Sequence, residues 1–98
     1  MSDGVRVVVK VVARTDTIAE ITAIVLKLAA QSRKETGCVS YEVLQDTGNA
    51  EIFVLIEEWT NVAALDAHNK TAHFHEAVSK SQPFLAKPLE VGRYAAIG

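Results

Sequence analysis

Three histidines, His68, His73 and His75, lie within eight residues of one another. Imidazole titrates near neutral pH, so such side chains can exchange protons with a substrate or bind a metal ion. On one continuous helix His68 and His75 would lie two turns apart, while His73 and His75 would point in nearly opposite directions. This spacing speaks against a shared metal site. Two interpretations stay open: solvated or singly hydrogen-bonded histidines, and histidines that take part in acid–base chemistry or contact a substrate.

Two aromatic residues and one arginine stand at or near the ends of predicted strands and also have two interpretations each. Trp59 either closes one end of the core or forms a flat wall for an aromatic ligand. Tyr41 is either a buried aromatic with its hydroxyl at the rim or one that directs its hydroxyl into a pocket. Arg14 could hold an anionic substrate group, although an arginine at a strand end is more often solvated.

Composition excludes several classes of function. Ten Lys and Arg residues against twelve Asp and Glu give a net charge of −2, without the basic excess that is typical of nucleic-acid binders. The five glycines form no phosphate-binding motif. The single cysteine, Cys38, cannot form an internal disulfide, which favours a reducing compartment. The sequence shows no apolar run of the length of a membrane span and no signal-peptide pattern, so we expect a cytoplasmic protein without a membrane partner.

The elements that must position these residues follow from the hydrophobic pattern. Residues 5–14 alternate with a period of two, which predicts a strand with one fully apolar face. Helical spacing then begins after Thr17, whose distance from Glu20 is that of a capping box. The helix is expected to end near Glu35, followed by Gly37 in a left-handed conformation.

The rest of the chain predicts a hairpin, a broken helical region and a last strand. The two hairpin strands cover residues 38–45 and 51–59, and Thr71 caps a short helical segment after the second helix. Residues 89–97 form the last strand. The order β-α-β-β-α-β predicts one α+β domain over residues 1–98, a ferredoxin-like split sandwich with both helices on one sheet face.

The third predicted strand is apolar on both faces. Leu55 and Trp59 share one face with Glu57, while Val54 and Ile56 lie on the other. The helices can cover only one face of the sheet, and an exposed apolar surface of this size is costly in water. We therefore expect a homodimer in which the uncovered sheet faces pack against each other.

Three stretches of sequence together resemble the antibiotic biosynthesis monooxygenase family. Within it the likeness is to the small quinol monooxygenases and the autoinducer-2 phosphate-processing enzymes. The stretches are E-x-G-C-x-x-Y over residues 35–41, E-x-W over 57–59 and L-x-x-H-x-x-T-x-H-F over 65–74. Each is short, and their order and spacing along nearly the whole chain carry the resemblance.

The resemblance implies a ferredoxin-like protomer that pairs into a dimeric α/β barrel. It also implies an enzyme that oxidises a small aromatic or enolisable substrate with O₂ and needs no metal, flavin or haem. By this resemblance His68 and His73 are assigned as catalytic residues. The residues assigned to substrate binding are Tyr41, Phe53, Trp59, Phe74 and Arg14.

The sequence also departs from parts of this family. Leu55 and Leu65 stand where the polyketide-oxidising branch has asparagine and tyrosine, and Val78 stands near the position of the iron-binding histidine in the haem-degrading branch. These differences speak against a polyketide substrate and against haem as a substrate. Two alternatives to a quinol-type monooxygenase stay open. One is an isomerase of a small phosphorylated carbonyl compound, and the other is a non-catalytic ligand-binding or stress-response protein of the same fold.

Overall fold

A computed structural model describes residues 4–98, and the first three residues of the domain assigned to 1–98 lie outside this range. Its elements, in chain order, are β1 (Val5–Val12), α1 (Ile18–Ser32), β2 (Cys38–Gln45), β3 (Ile52–Trp59), α2 (Val62–Asn69), α3 (Ala72–Ser81) and β4 (Glu90–Tyr94). The strands form one open antiparallel sheet in the order β2-β3-β1-β4. This confirms the predicted α+β, ferredoxin-like fold.

The two central strands show why the sheet has one buried face. Val9 of β1 pairs with Leu55 of β3, and both side chains are buried beneath the helices. Their neighbours Val8 and Ile56 also pair and are only half-buried, because they lie on the opposite face. The inner face of β3 carries the side chains predicted for it, and all of them are buried: Phe53, Leu55, Glu57 and Trp59.

The start of α1 differs from the predicted capping box. The hydroxyl of Thr17 makes no cap hydrogen bond to the helix. It donates instead to the carbonyl oxygens of Phe84, at 2.7 Å, and Arg14, at 3.1 Å. The Thr17 hydroxyl therefore bonds to a carbonyl oxygen that is distant in the sequence instead of to a backbone N–H of its own helix. This hydrogen bond connects the start of α1 to the segment before β4.

The end of α1 places an acidic residue next to the helices that follow. The helix ends at Ser32, three residues before the predicted end, so Glu35 belongs to the connection to β2. Gly37 has φ +91°, the left-handed conformation predicted for it. A Cβ atom on Gly37 would lie 2.6 Å from the Cβ of Ala64, so glycine is also required for the close approach of this connection to α2.

The helical region after β3 is broken into two helices, α2 and α3. The side chain of Asn61 caps α2 by accepting a hydrogen bond from the backbone N–H of Ala64 at 2.8 Å. The hydroxyl of Thr71 accepts from the backbone N–H of Phe74 at 3.2 Å and so caps α3, as predicted. The break at Lys70 and Thr71 separates α3 from α2 and allows its first turn to face the end of α1.

Two strand details also differ from the prediction. A β-bulge between Cys38 and Ser40 shifts the register of β2 against β3, so Val39 is exposed and Tyr41 is buried, although the strict alternation of a regular strand would put both on one face. The last strand ends at Tyr94, three residues before the predicted end. Within residues 4–98, none of the helices has the length and apolar character that crossing a membrane requires.

Candidate active site

A cavity of about 330 Å³ lies between the helices and the inner face of the sheet. Exposed Val91 and Arg93 of β4 line it, so the cavity meets the surface at this edge of the sheet. Its volume is in the range of sites that bind small molecules. Most of the wall is aliphatic and comes from β1 and α1: Val7, Val9, Val11, Ile24, Val25 and Leu28.

Three polar side chains form one part of this cavity wall: Tyr41 of β2, Glu57 of β3 and His68 of α2. Only 3% of Glu57 is exposed. Its Oε1 accepts a hydrogen bond from the indole Nε1–H of Trp59 at 2.9 Å, and Nε2 of His68 lies 3.9 Å from the same oxygen. A carboxyl group and an imidazole, the two common acid–base groups of enzymes, therefore face the same apolar space.

The surroundings of Glu57 change its affinity for protons. Burial raises the pKa of the Glu57 carboxyl above its ordinary value, and the hydrogen bond from Trp59, the charge of His68 and the Tyr41 hydroxyl only partly oppose this. Burial, together with the neighbouring Glu57, also raises the pKa of the Tyr41 phenol. Tyr41 is therefore a hydrogen-bond donor here, and the carboxyl and imidazole groups are the ones able to accept a proton.

A second carboxylate joins the two helices behind the cavity. Oε2 of Glu35 forms hydrogen bonds with Nδ1 of His68 at 2.6 Å and with Nε2 of His73 at 2.8 Å. The side chain of His68 is 1% exposed, that of Glu35 15% and that of His73 19%. The cluster thus extends from the buried cavity wall towards the surface.

Aromatic neighbours fix the ring of His68. The ring of Trp59 lies 4.5 Å from it, centroid to centroid and tilted by 35°, and the ring of Phe74 meets it edge-on at 5.2 Å. With Glu35 bonded to Nδ1, these contacts direct Nε2 towards Glu57. The imidazole is therefore held in one orientation at the cavity wall.

Glu35, His68 and His73 are also residue types that bind divalent metals. One ligand atom from each lies within 4.8 Å of the others, a convergence that the sequence interpretation did not foresee because it did not place Glu35 near the histidines. The two contacts of 2.6 and 2.8 Å have the lengths of charge-assisted hydrogen bonds. Ligands of one tetrahedral zinc ion would lie about 3.3 Å apart. The geometry is therefore that of a hydrogen-bonded triad.

The other residues assigned from the sequence occupy different positions. Phe74 lines the cavity with Tyr41 and His68, whereas Trp59 and Phe53 are buried in the core behind it. His73 lines a smaller groove of about 150 Å³ between α1 and α3. It is hydrogen-bonded to Glu35, and its ring lies 6.1 Å from that of His68, centroid to centroid. Arg14 is exposed and is not part of the cavity wall.

Two acidic residues of the cluster were missed by the sequence interpretation. Glu57 alternates with Leu55 and Trp59 on the buried face of β3, and a lone acidic residue on such a face is the signal that could have identified it. Glu35 opens the E-x-G-C-x-x-Y stretch of the family resemblance, but its residue pattern does not relate it to the histidines. Its position depends on where α1 ends and on how α2 and α3 pack near that end, which only the folded chain defines.

Comparison with known proteins agrees with this fold. Residues 4–80 match the family model described as "Antibiotic biosynthesis monooxygenase". A Synechocystis protein named "Uncharacterized protein sll1783" is 41% identical over 81 residues, which are 83% of this chain and 55% of that protein. A Bacillus subtilis protein named "Putative monooxygenase YcnE" is 39% identical over 66 residues, 67% of this chain and 70% of that protein. The chain thus spans about half the length of the Synechocystis relative.

A solved structure gives the same result for the fold. The structure of Rv0793 from Mycobacterium tuberculosis superposes with a TM-score of 0.92 and covers 97% of this chain and 96% of that one. The two sequences are 24% identical in this alignment, so the likeness shows a common fold.

Proposed function

Because the chain belongs to the antibiotic biosynthesis monooxygenase family, we propose that it oxidises a small aromatic or enolisable molecule of the quinol type with O₂. We propose further that the reaction needs no metal, flavin or haem. The observation that carries this proposal is the apolar cavity of about 330 Å³ with Glu57 and His68 in its wall. Such a cavity supplies what this chemistry requires of a protein, namely a water-poor space and a group that accepts a proton.

In the proposed reaction a base first removes a proton from an activated C–H or O–H group of the substrate. The anion passes one electron to O₂, and the substrate radical and superoxide combine to form a peroxide on carbon. Protonation of the peroxide and loss of water leave a carbonyl group. A CH₂ group thereby loses two hydrogens and four electrons, and O₂ accepts the four electrons, with one oxygen atom in the product and the other in water.

The protein would contribute to this reaction at two points. His68, at the cavity wall, would accept a proton or stabilise the oxyanion that forms, while Tyr41 donates a hydrogen bond and Phe74 contacts the ring of the substrate. His73 would act through Glu35, since it does not line the cavity itself.

We also propose that two copies of the chain pair through their outer sheet faces. Val54 and Ile56 are only half-buried there, and Leu44 is 44% exposed. Covering such side chains is worth roughly 25 cal/mol per Å² of apolar surface. A cytoplasmic location, favoured by the single free cysteine, Cys38, is part of the same proposal.

Oxygen uptake with a panel of reduced naphthoquinols and anthrones tests the proposed reaction. These compounds oxidise spontaneously, so each rate is compared with a protein-free blank. We expect at least one substrate to exceed its blank, and His68→Ala to lower kcat/KM by about 10²- to 10³-fold. His75→Ala is the matched control, because His75 is an exposed residue of α3 outside the cluster, and it should retain full activity.

Three outcomes would contradict the proposal. Product formation without oxygen uptake would identify an isomerase. A ligand that raises the Tm without being turned over would identify a binding protein. Full activity of His68→Ala, with an unchanged fold, would remove His68 from the mechanism.

A further inference from the structure

We propose that Glu57 is the group that takes the proton from the bound substrate, and that His68, Glu35 and His73 form the path along which this proton leaves to water and a proton later returns to protonate the peroxide. The proposal rests on the proposed function, because it concerns the proton that the oxidation must remove. It gives each of the two carboxylates of the cluster a role, Glu57 as the proton acceptor and Glu35 as part of the proton path. It also gives His73 a role that does not require contact with the substrate.

The position of Glu57 is the first argument. A carboxyl group on the buried face of a central strand is costly for the fold, and a leucine like its neighbour Leu55 would pack there without that cost. Glu57 is also held in place, because Trp59 donates a hydrogen bond to its Oε1 and Tyr41 lies beside it. A fixed carboxyl group in the wall of an apolar cavity is suited to accept a proton from a phenol or an enol.

The sequence of contacts behind Glu57 is the second argument. From Glu57 Oε1 to His68 Nε2 the distance is 3.9 Å, from His68 Nδ1 to Glu35 Oε2 it is 2.6 Å, and from Glu35 Oε2 to His73 Nε2 it is 2.8 Å. The imidazole of His68 can accept a proton at Nε2 and release one from Nδ1. A shift of about 1 Å in the Glu57 side chain would close the first gap to hydrogen-bond length.

Exposure is higher at the far end of the same sequence of residues. The exposed fraction of the side chain is 4% for Glu57, 1% for His68, 15% for Glu35 and 19% for His73. The two residues at the cavity are therefore almost fully buried, and the two at the other end reach water. The gradient fits a path that exchanges protons between the buried cavity and water.

The charged and titratable neighbours of Glu57 come from several elements. His68 favours its ionised form, whereas Glu35 disfavours it. On β2 the thiol of Cys38 and the phenol of Tyr41 are nearby and hold their protons, since burial raises the pKa of each. Arg93 of β4 lines the same cavity. Two carboxylates on either side of one imidazole allow a proton to be held at either end of the group.

The first test uses a dye that reports its own ionisation. Alizarin, a dihydroxyanthraquinone, changes colour when it loses a proton and is already oxidised, so it tests proton transfer without turnover. It is added at a pH at which the free dye is neutral. We expect wild-type protein to bind the dye as its anion. Glu57→Gln should lower the ionised fraction of bound dye roughly tenfold, the effect of one pKa unit.

Glu58→Gln is the matched control for this test. Glu58 is adjacent in sequence but lies on the outer face of the sheet, where it pairs with Arg6 at 3.3 Å. This variant should ionise the dye as the wild type does. Equal ionisation by Glu57→Gln, or the absence of ionised dye on the wild-type protein, would overturn the assignment of Glu57.

The second test separates the path from a structural role of His73. We expect Glu57→Gln to lower kcat by about 10²-fold or more, and His73→Ala to lower kcat with little change in KM. Free imidazole in the buffer should restore the turnover of His73→Ala but not that of Glu57→Gln. His75→Ala, on the same helix and exposed, should be indifferent to imidazole.

The outcomes of the two tests are distinguishable. A loss in His73→Ala that imidazole does not restore, or no loss at all, would overturn the proton path. If the wild type consumes no oxygen with any substrate, the proposed function fails. The dye then still decides whether Glu57 accepts a proton in this cavity.

Discussion

Glu57 and Glu58 are neighbours in the sequence, yet they lie on the two faces of the sheet and have different surroundings. Glu57 faces the helices, is 3% exposed and accepts a hydrogen bond from Trp59. Glu58 faces away from the helices, and its side chain is 34% exposed beside Arg6. An exposed ion pair of this kind adds little to stability, whereas a buried carboxyl group changes its affinity for protons. The same residue type is thus a surface charge on one face and a candidate acid–base group on the other.

The aliphatic neighbours of these glutamates differ in the same way. Leu55 is 4% exposed and contributes to the cavity wall, while Ile56 on the outer face is only half-buried. The inner face is therefore completed by the helices of its own chain. The outer face is just as apolar along β3, and in our proposal a second copy completes it.

The largest expected effect comes from truncating the inner face. Leu55→Ala should lower the free energy of unfolding by about 2–5 kcal/mol, because it removes a buried side chain from the core and enlarges the cavity that Leu55 lines. Ile56→Ala removes a side chain of similar size from the outer face and should cost clearly less in the monomer. Denaturant unfolding measures both at a protein concentration below that of dimer formation. Equal losses would contradict the distinction between the two faces.

Placing a charge on the outer face should have the next largest effect. Ile56→Lys should weaken the proposed dimer by about 100-fold or more, since the ammonium group would have to be buried at the interface. Sedimentation at micromolar concentration would then show a monomer for the variant and a dimer for the wild type. Val62→Lys is the control, because Val62 is 51% exposed on α2, away from the sheet face. A monomeric wild-type protein would refute the proposed dimer.

The smallest expected effect is on stability and depends on pH. Burial raises the pKa of Glu57 above its ordinary value of 4.5, so the folded state binds this proton more tightly than the unfolded chain does. As the pH rises from 4.5 to the folded-state pKa, the folded protein loses this advantage and its stability falls. Glu57→Gln should therefore have a Tm a few degrees above that of the wild type at pH 7.5.

The difference in Tm between Glu57→Gln and the wild type should shrink as the pH is lowered towards 4.5, where the Glu57 carboxyl of the folded wild type is protonated. Glu58→Gln should stay within about 0.5 kcal/mol of the wild type throughout, because it only removes an exposed ion pair. A wild-type protein that is more stable than Glu57→Gln at pH 7.5 would contradict this and show that the Glu57 carboxyl stabilises the fold.

Much of the fold could be predicted because its signals are local. The alternation along β1 and β3, the left-handed Gly37 and the cap at Thr71 each depend on a few adjacent residues, and all are present in the structure. The errors occurred where a distant group competes with a local one. Thr17 makes its hydrogen bond to the carbonyl of Phe84, 67 residues away, instead of capping its own helix.

The candidate site was predictable only in part for the same reason. His68 could be placed beside the core from its spacing to Leu65, and the structure has both residues buried. The presence of Glu57 on an apolar strand face was visible in the sequence. Its significance depends on the side chain that faces it in the folded chain, which is His68. Glu35 is 33 residues from His68 and 38 from His73, and no local pattern relates the three.

The sequence by itself determined the alternation along β1 and β3 and the new helix start after Thr71, and therefore the order of elements and the two faces of the sheet. These properties depend on backbone conformation and burial, which short stretches of sequence specify. The tertiary structure alone decided that one oxygen of Glu35 is hydrogen-bonded to both His68 and His73. It also decided that the other ring nitrogen of His68 faces Glu57. Those contacts join α1, β3, α2 and α3, and they exist only once the helices have packed on the sheet.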